Sequence, residues 1–166
     1  MEIYLVRHGA ALDVGEEGIT RDFDRPLSRE GRRKTEEEAA GLQALGVQPD
    51  FICASPLVRA QETARILAAT LCPKHPVKVC EWLQPGELPG TILPALGHLA
   101  GERVMAVGHM PDLDRLASIM LTGKDDLALV FKKGAVCCVS YEGAPAPARA
   151  RLEWLMQPGQ IRAIRA

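Results

Sequence analysis

Short apolar runs alternate along this chain with longer stretches in which apolar residues recur at helical spacing. Four apolar, β-branched runs are typical of buried strands, and the stretches between them are typical of helices that bury one face. A last pair of runs, separated by a loop rich in Gly, Pro and Ala, predicts a hairpin-like β pair. Strands that alternate with helices before a β pair predict a three-layer α/β/α sandwich with a mixed, mostly parallel sheet. The predicted strands lie at residues 3–6, 51–54, 77–80, 104–108, 135–141 and 150–156.

Capping residues predict where the helices begin and end. Ser28 is a good N-cap and Gly46 a plausible stop for the first helix. Ser55 is expected to cap the second helix, with Pro56 at its first position. Residues 91–100 predict a short helix. The first helix carries small and apolar residues at helical spacing for close packing: Gly31, Thr35, Ala39 and Leu42.

The composition predicts one soluble globular domain over residues 1–166. The chain is 47% hydrophobic and 25% charged, with a formal net charge of -1. This balance gives no reason to expect nucleic acid or an anionic membrane as partner. Arg7 interrupts the first apolar run, and no run approaches the about 20 apolar residues of a membrane-spanning helix. We therefore expect a cytoplasmic protein.

The five cysteines indicate neither a disulfide framework nor a zinc site. Their number is odd, and the sequence has no C-x-x-C. Buried, reduced thiols in a cytosolic protein are the expected state. The cysteines are Cys53, Cys72, Cys80, Cys137 and Cys138.

Three predicted strands end in residues that suit the same chemistry. Arg7-His8-Gly9 follows the first strand, Arg59 lies in the first helical turn after the second, and His109 follows the strand at 104–108. Ligands of open α/β sheets bind outside the carboxyl ends of the strands, so these side chains are expected to converge. Taken singly, each also fits an ordinary surface or corner position. His75 and His98 have no such context and are interpreted as surface residues.

The residue types point to phosphoryl transfer through a covalent intermediate. A cation at a helix N-terminus costs about 0.3–1 kcal/mol, and a bound anion would reverse that sign at Arg59. Arginine matches phosphate oxygens with two donors. His8 must be neutral to attack phosphorus, and nearby arginine charges would lower its pKa. Two alternatives are weaker: a metal hydrolase, because the arginines would repel a cation, and a phosphate-recognition module, because a binder gains nothing from a nucleophile.

The order and spacing of four motifs resemble the histidine phosphatase superfamily, the phosphoglycerate-mutase-like proteins, and within it the small SixA-type phosphohistidine phosphatases. The resemblance implies His8 as the phosphorylated nucleophile. It implies Arg7, Arg59 and His109 as the phosphate pocket, with Arg25 as a fourth contact. The motifs are Arg7-His8-Gly9, Arg25-Pro26-Leu27-Ser28-x-x-Gly31, Ser55-Pro56-Leu57-x-Arg59-Ala60-x-x-Thr63-Ala64 and Gly108-His109-Met110-Pro111.

The resemblance does not identify which residue donates a proton to the leaving group. Larger members use a carboxylate after the third strand, beneath an inserted lid. Glu81 occupies roughly that place, but residues 81–90 are too few for such a lid. Asp13, Asp22 and Asp24 on the first loop are rival acids.

The favoured substrate is a phosphohistidine on a protein, such as a phosphotransfer domain, and the alternative is a small phosphate ester. No cofactor or metal is expected, and the chain is expected to act as a monomer.

Overall fold

The computed structural model describes residues 1–99 and 101–164 and shows one six-stranded sheet flanked by helices. The strands are β1 (Glu2–Arg7), β2 (Phe51–Ala54), β3 (Lys78–Val79), β4 (Arg103–Gly108), β5 (Val136–Ser140) and β6 (Arg151–Met156). The helices are α1 (Arg29–Ala44), α2 (Val58–Leu71), α3 (Pro89–Gly97), α4 (Asp112–Thr122) and α5 (Pro158–Ala163).

The sheet has the order β3-β2-β4-β1-β5-β6 and is mixed, as the sequence predicts. The first four strands of the chain run parallel, whereas β5 and β6 are antiparallel to their neighbours. Arg7 lies opposite Gly108 at the end of the β1–β4 pair, and Ala54 lies opposite Val107. The parallel strands therefore end together, at what we call the carboxyl edge.

Helices cover both faces of the sheet, which confirms the three-layer α/β/α sandwich. One face packs against α3 and α4 through residues such as Leu96 and Leu116. The other packs against α1, α2 and α5 through residues such as Leu42, Leu67 and Ile161. Because side chains alternate along each strand, β1 gives Leu5 to the first core and Val6 to the second. Strands covered on both faces explain the nearly continuous apolar runs of the sequence.

Two helix boundaries differ from the prediction. Helix α2 begins at Val58 instead of Pro56, because the Ser55 hydroxyl is engaged with His109 and accepts only a 3.3 Å hydrogen bond from the Leu57 amide. Helix α3 begins at Pro89, two residues before the predicted start. The start at Pro89 agrees with the preference of proline for the first helical turn.

Helix α5 is not predicted from the pattern at all. It has only six residues, too few to show a 3.6-residue period. Its start carries a capping box in which Gln157 and Gln160 exchange side-chain and backbone hydrogen bonds.

The predictions for the two ends of α1 are confirmed. Ser28 caps α1 by accepting a 3.0 Å hydrogen bond from the Gly31 amide, and Gly46 follows α1 with a φ of 83°. All five cysteines are free and buried, and His75 and His98 are exposed. None of the described helices combines the length and apolar character that crossing a membrane requires.

Helix α1 meets the loop after β1 at a point where only glycine fits. The Ala10 carbonyl lies against the start of α1, where it accepts a 3.0 Å hydrogen bond from the Ser28 amide, and a Cβ at Gly31 would overlap that carbonyl oxygen. The small-residue face of α1 thus packs against the loop that follows His8 as well as against the sheet.

We predict that Gly31→Ala lowers the free energy of unfolding by about 1–3 kcal/mol, because the added methyl group displaces the Ala10 carbonyl. Gly90→Ala is the matched control, since a Cβ at this α3 glycine meets no atom within 4 Å. Alanine there should stabilise the helix by up to about 1 kcal/mol. Urea denaturation of both variants measures the difference, and equal stabilities would contradict the assigned close contact.

Candidate active site

His8 stands at the carboxyl edge with a defined ring nitrogen, Nε2, that holds the lone pair. Its Nδ1 lies 2.7 Å from the Gly9 carbonyl oxygen, which can only accept, so Nδ1 carries the proton and Nε2 holds the lone pair. The Gly9 amide donates to the Thr63 hydroxyl at 3.0 Å, and that hydroxyl donates to the Arg59 carbonyl at 2.7 Å. These bonds tie the His8–Gly9 backbone to α2 and fix the direction of the imidazole.

Arg59 projects from the first turn of α2 onto His8. Its Nε lies 3.3 Å from His8 Nε2, and its guanidinium is buried. The two terminal nitrogens donate to Asp22, one to the backbone carbonyl at 2.7 Å and the other to the carboxylate at 3.0 Å. The guanidinium therefore faces both the nucleophile candidate and an anionic group, as a phosphate-binding side chain would.

His109 follows β4 and comes beside His8 because their strands are paired. The ring centroids are 5.1 Å apart. His109 Nε2 lies 2.8 Å from the Ser55 hydroxyl at the end of β2. Its Nδ1 is buried and has no hydrogen-bond partner among residues 1–99 and 101–164.

Arg7 ends β1, directly before His8, and is anchored by the segment before β5. Its Nη1 donates to the Phe131 carbonyl at 2.6 Å. Its Nε is buried and, within the described part of the chain, unpartnered. Three segments that are far apart in the sequence thus bring Arg7, His8, Arg59 and His109 to one edge of the sheet.

Burial holds both imidazoles neutral at physiological pH. The pKa of His8 is lowered to about 4, first by burial and then by the charges of Arg59, Arg7 and Lys133. Burial likewise lowers the pKa of His109 to about 3, with His8 and Arg59 as further causes. The sequence correctly indicates the direction for His8, but arginine charge is the secondary cause.

Arg25 does not touch His8 in this structure. Its guanidinium donates to the Asp13 and Asp22 carboxylates at 2.6 Å and 2.8 Å, and to the Leu12 carbonyl at 2.5 Å. It reaches the site only through Asp22, which both arginines hold. The hydrogen bond from Arg25, and after it the one from Arg59, lower the pKa of the Asp22 carboxyl and keep it ionised.

Glu81 is exposed at the end of β3, and its carboxylate accepts a 2.5 Å hydrogen bond from Gln84. The described hydrogen bonds give it no contact with His8, Arg59 or His109. Of the first-loop carboxylates, Asp22 is joined to Arg59, whereas Asp13 and Asp24 pair with Arg25 and Arg21.

The sequence reading overlooks three supporting residues. Thr63 links Gly9 to α2, Ser55 orients His109, and Lys133 adds positive charge near His8. Ser55 and Thr63 lie inside the third motif, where their hydroxyls are a usable signal. Lys133 precedes β5, and only the antiparallel pairing of β5 with β1 brings it to the carboxyl edge.

A neutral imidazole whose Nε2 lone pair faces one guanidinium group, with a second guanidinium group nearby, defines a nucleophilic site for an anionic, phosphoryl-like group. The profile of the histidine phosphatase superfamily (branch 1) matches residues 3–84. An uncharacterized protein of Picosynechococcus sp. is 37% identical over 139 residues, which is 82% of each chain. The chain belongs to the histidine phosphatase superfamily, and it is a phosphatase with a phosphoglycerate mutase-like fold.

Two further comparisons place the chain among its relatives. The structure of the protein histidine phosphatase SixA complexed with tungstate superposes with a TM-score of 0.83 at 23% identity, over 96% of this chain and 98% of that one. This likeness concerns the fold. The mitochondrial serine/threonine-protein phosphatase Pgam5 of Drosophila ananassae is 40% identical over 97 residues, 58% of this chain. That match covers 32% of Pgam5, so this chain resembles about a third of the larger protein.

We predict that the two buried imidazoles make the protein less stable as the pH falls below about 6.5. The unfolded chain takes up protons near that pH, whereas the folded chain keeps His8 and His109 neutral down to about pH 4 and 3. Between these values the unfolded state binds more protons, so acid favours unfolding. From pH 7 to pH 5 each histidine should remove about 2 kcal/mol from the free energy of unfolding.

The test is urea denaturation of wild type and of His8→Asn/His109→Asn across this range. Burial also raises the pKa of Glu38 to about 7. The effect of such other groups on the free energy of unfolding is common to both proteins and cancels in their difference. The curves should converge towards pH 5, and parallel curves would contradict the prediction.

We predict that Asp22→Asn strengthens binding of inorganic phosphate about fivefold, because the Asp22 carboxylate competes with the anion for Arg59. The gain is modest because Asp22 is largely solvent-exposed. Asp24→Asn is the matched control, since Asp24 pairs with Arg21. Calorimetric titration with phosphate or tungstate measures the effect, and weaker binding by Asp22→Asn would show that Asp22 supports the anion instead.

Proposed function

We propose that this chain hydrolyses phosphohistidine on a protein through a covalent phosphohistidine formed on His8. The observation that carries the proposal is the neutral His8, whose Nε2 lone pair faces Arg59. The Asp22 carboxylate, which accepts a hydrogen bond from Arg59, stays ionised. In this proposal residues 1–166 act as one catalytic domain, as a monomer and without a cofactor.

In the first step the lone pair on His8 Nε2 attacks phosphorus. The new P–N bond forms as the P–N bond to the substrate imidazole breaks. A substrate imidazole whose other nitrogen carries a proton leaves as neutral imidazole. In the second step water attacks the phosphorus on His8, its protons pass to solvent and phosphate, and His8 returns neutral.

The phosphoryl oxygens would be held by donors that the fold leaves available. Arg7 Nε and His109 Nδ1 are buried without partners in the described chain, and Arg59 can exchange Asp22 for the phosphoryl group. Such fixed donors stabilise the charge that spreads over the oxygens during transfer. Arg25 would join them as a fourth contact if Asp22 moves away, since both guanidinium groups share that carboxylate.

The lack of a positioned proton donor supports phosphohistidine over an ester. An alkoxide leaving group needs a proton, and a positioned acid is worth about 10²- to 10⁴-fold in rate. Asp22 is held ionised by Arg25 and Arg59, and Glu81 is exposed beside Gln84. A neutral imidazole leaves without this help, so the site matches a P–N bond better than a P–O bond.

The openness of the site supports a protein substrate. Between β3 and β4, the described residues form a short turn at Glu81–Leu83 and the nine-residue helix α3, with no further helix to cover the pocket. Such a mouth lets a side chain on a protein surface reach His8. SixA, whose fold this chain shares, is named a protein histidine phosphatase, and Pgam5 a protein phosphatase.

The testing experiment compares turnover of a phosphohistidine protein with turnover of small phosphate esters. Wild type should show the higher kcat/KM on the protein, and His8→Ala should be inactive while it keeps the wild-type melting temperature. An alkaline quench during turnover should trap phosphate on His8, because phosphohistidine survives alkali.

Glu81→Gln separates the two substrate classes within the same experiment. It should leave turnover of phosphohistidine and of small esters within about twofold, because Glu81 is bonded to Gln84 and has no described hydrogen bond to His8, Arg59 or His109. Loss of a positioned acid would instead slow esters with poor leaving groups by about 10²-fold or more. Preference for a small ester, together with its collapse in Glu81→Gln, would instead identify a small-molecule phosphomonoesterase with Glu81 as its acid.

A further inference from the structure

Three exposed large apolar side chains lie on segments that lead to the candidate active site. Leu88 is 66% exposed, Val130 is 65% exposed and Phe23 is 43% exposed. We call Phe23, Leu88 and Val130 the apolar rim. Each lies on a different connection that meets the carboxyl edge of the sheet.

Phe23 is tied to the pocket on the Arg59 side. It follows Asp22, whose carbonyl and carboxylate both accept hydrogen bonds from the Arg59 guanidinium. Arg25 holds the same carboxylate from the other side of Phe23. Phe23 therefore lies on a segment that is held by the hydrogen bonds of Asp22 and Arg25.

Val130 and Leu88 are tied to the pocket on two other sides. Val130 precedes Phe131, whose carbonyl accepts the hydrogen bond from Arg7. Leu88 comes two residues after Gly86, whose amide donates to the Asp112 carboxylate at 2.8 Å. Asp112 begins α4, three residues after His109. Hydrogen bonds made by their neighbours in the chain thus connect the rim residues to Arg59, to Arg7 and to the start of α4.

The rim contrasts with the pocket that it surrounds. The floor consists of buried cations and imidazoles, whereas the exposed surface at its mouth carries large apolar groups. Single exposed apolar residues need no explanation, but grouping around a functional cleft marks contact with a partner. Two other exposed apolar residues also lie towards this edge, Val14 on the same loop as Phe23 and Val79 at the end of β3. Leu45 follows α1 at the opposite end of the sheet, and Leu152 lies within β6.

We infer that the apolar rim is the docking surface for a folded protein that carries its phosphohistidine within a patch of apolar side chains. The inference rests on the proposed function. His8, Arg59 and His109 are buried, and a phosphorylated imidazole is a short side chain. To bring its phosphorus to His8, the substrate must press the surface around its phosphohistidine onto the rim.

Charge on either side of the rim gives the partner an orientation. The loop before Phe23 exposes Glu16 and Glu17, whereas Lys132 and Lys133 are exposed beside Val130. A complementary partner presents basic residues towards the first pair and acidic residues towards the second. Such flanking charges speed association and suppress wrong orientations more than they add affinity.

The test uses one phosphohistidine in two settings. A folded histidine phosphotransfer domain, phosphorylated with phosphoramidate, serves as the protein substrate, and a short peptide with the same phosphohistidine serves as the minimal one. Wild type should show a higher kcat/KM on the folded domain. The triple variant Phe23→Ser/Leu88→Ser/Val130→Ser should lose about 100-fold on the domain, mainly through KM, at about fivefold for each contact.

The same triple variant should keep turnover of the peptide and of p-nitrophenyl phosphate within about twofold of wild type, which shows an intact pocket. The matched control is Leu45→Ser/Leu152→Ser, which removes exposed apolar groups away from the carboxyl edge. This control should retain wild-type kcat/KM on the folded domain.

The outcomes separate the docking inference from the proposed function. Equal kcat/KM of wild type and the triple variant on the folded domain would overturn the docking surface, and continued hydrolysis of the peptide would then leave the proposed function standing. Turnover of p-nitrophenyl phosphate without turnover of either phosphohistidine substrate would overturn the proposed function, and with it the inference that depends on it.

Discussion

The register of the parallel pair β1–β4 is the constraint on which the site depends. Arg7 lies opposite Gly108, so the residues that follow, His8 and His109, leave the sheet side by side with ring centroids 5.1 Å apart. The His8 amide extends this pairing by donating to the Gly108 carbonyl at 3.2 Å. A shift of one residue would send the side chains of one strand to the opposite face, and buried cores on both faces make such a shift very costly.

Burial at this edge sets the chemistry of both imidazoles. Desolvation penalises the charged form, and it contributes more to the low pKa values of His8 and His109 than the neighbouring cations do. A sheet covered on both faces can supply such burial at strand ends, where loops close over the side chains. The arginines then act mainly on the anion, and the nucleophile is neutral before any substrate arrives.

Asp22 gives the loop after β1 a second role in the molecule. It bridges Arg25 and Arg59, so two guanidinium groups that would otherwise repel each other share one carboxylate. The same two hydrogen bonds make Asp22 a poor proton donor, because an acid held ionised has no proton to give. The Asp22 charge on this loop therefore offsets the positive charge of the pocket, and the same loop carries Phe23. The loop is attached to the start of α1 through the Ala10 carbonyl, which accepts a hydrogen bond from the Ser28 amide.

The sequence by itself determined the layered α/β architecture and indicated the residues that the structure gathers at the carboxyl edge. Strands covered on both faces leave continuous apolar runs, and the longer helices leave a 3.6-residue period. His8, Arg59 and His109 occupy strand ends and a helix start, where local rules place ligands. The sequence did not predict α5, because this helix has too few residues to show a period. It also predicted an earlier start for α2, because the Ser55 hydroxyl bonds to His109 in the structure instead of capping the helix.

Only the tertiary structure decided which loop carboxylate meets the site. Asp13, Asp22, Asp24 and Glu81 look alike in sequence, because each is an acidic residue in an irregular segment. Their difference arises from contacts with partners distant in the chain, such as the 37 positions between Asp22 and Arg59. The same holds for Lys133 and the apolar rim, which reach the pocket through the antiparallel β5 and through hydrogen bonds to Arg7 and Asp112. Local pattern fixes where an element runs, and long-range packing fixes what its loops touch.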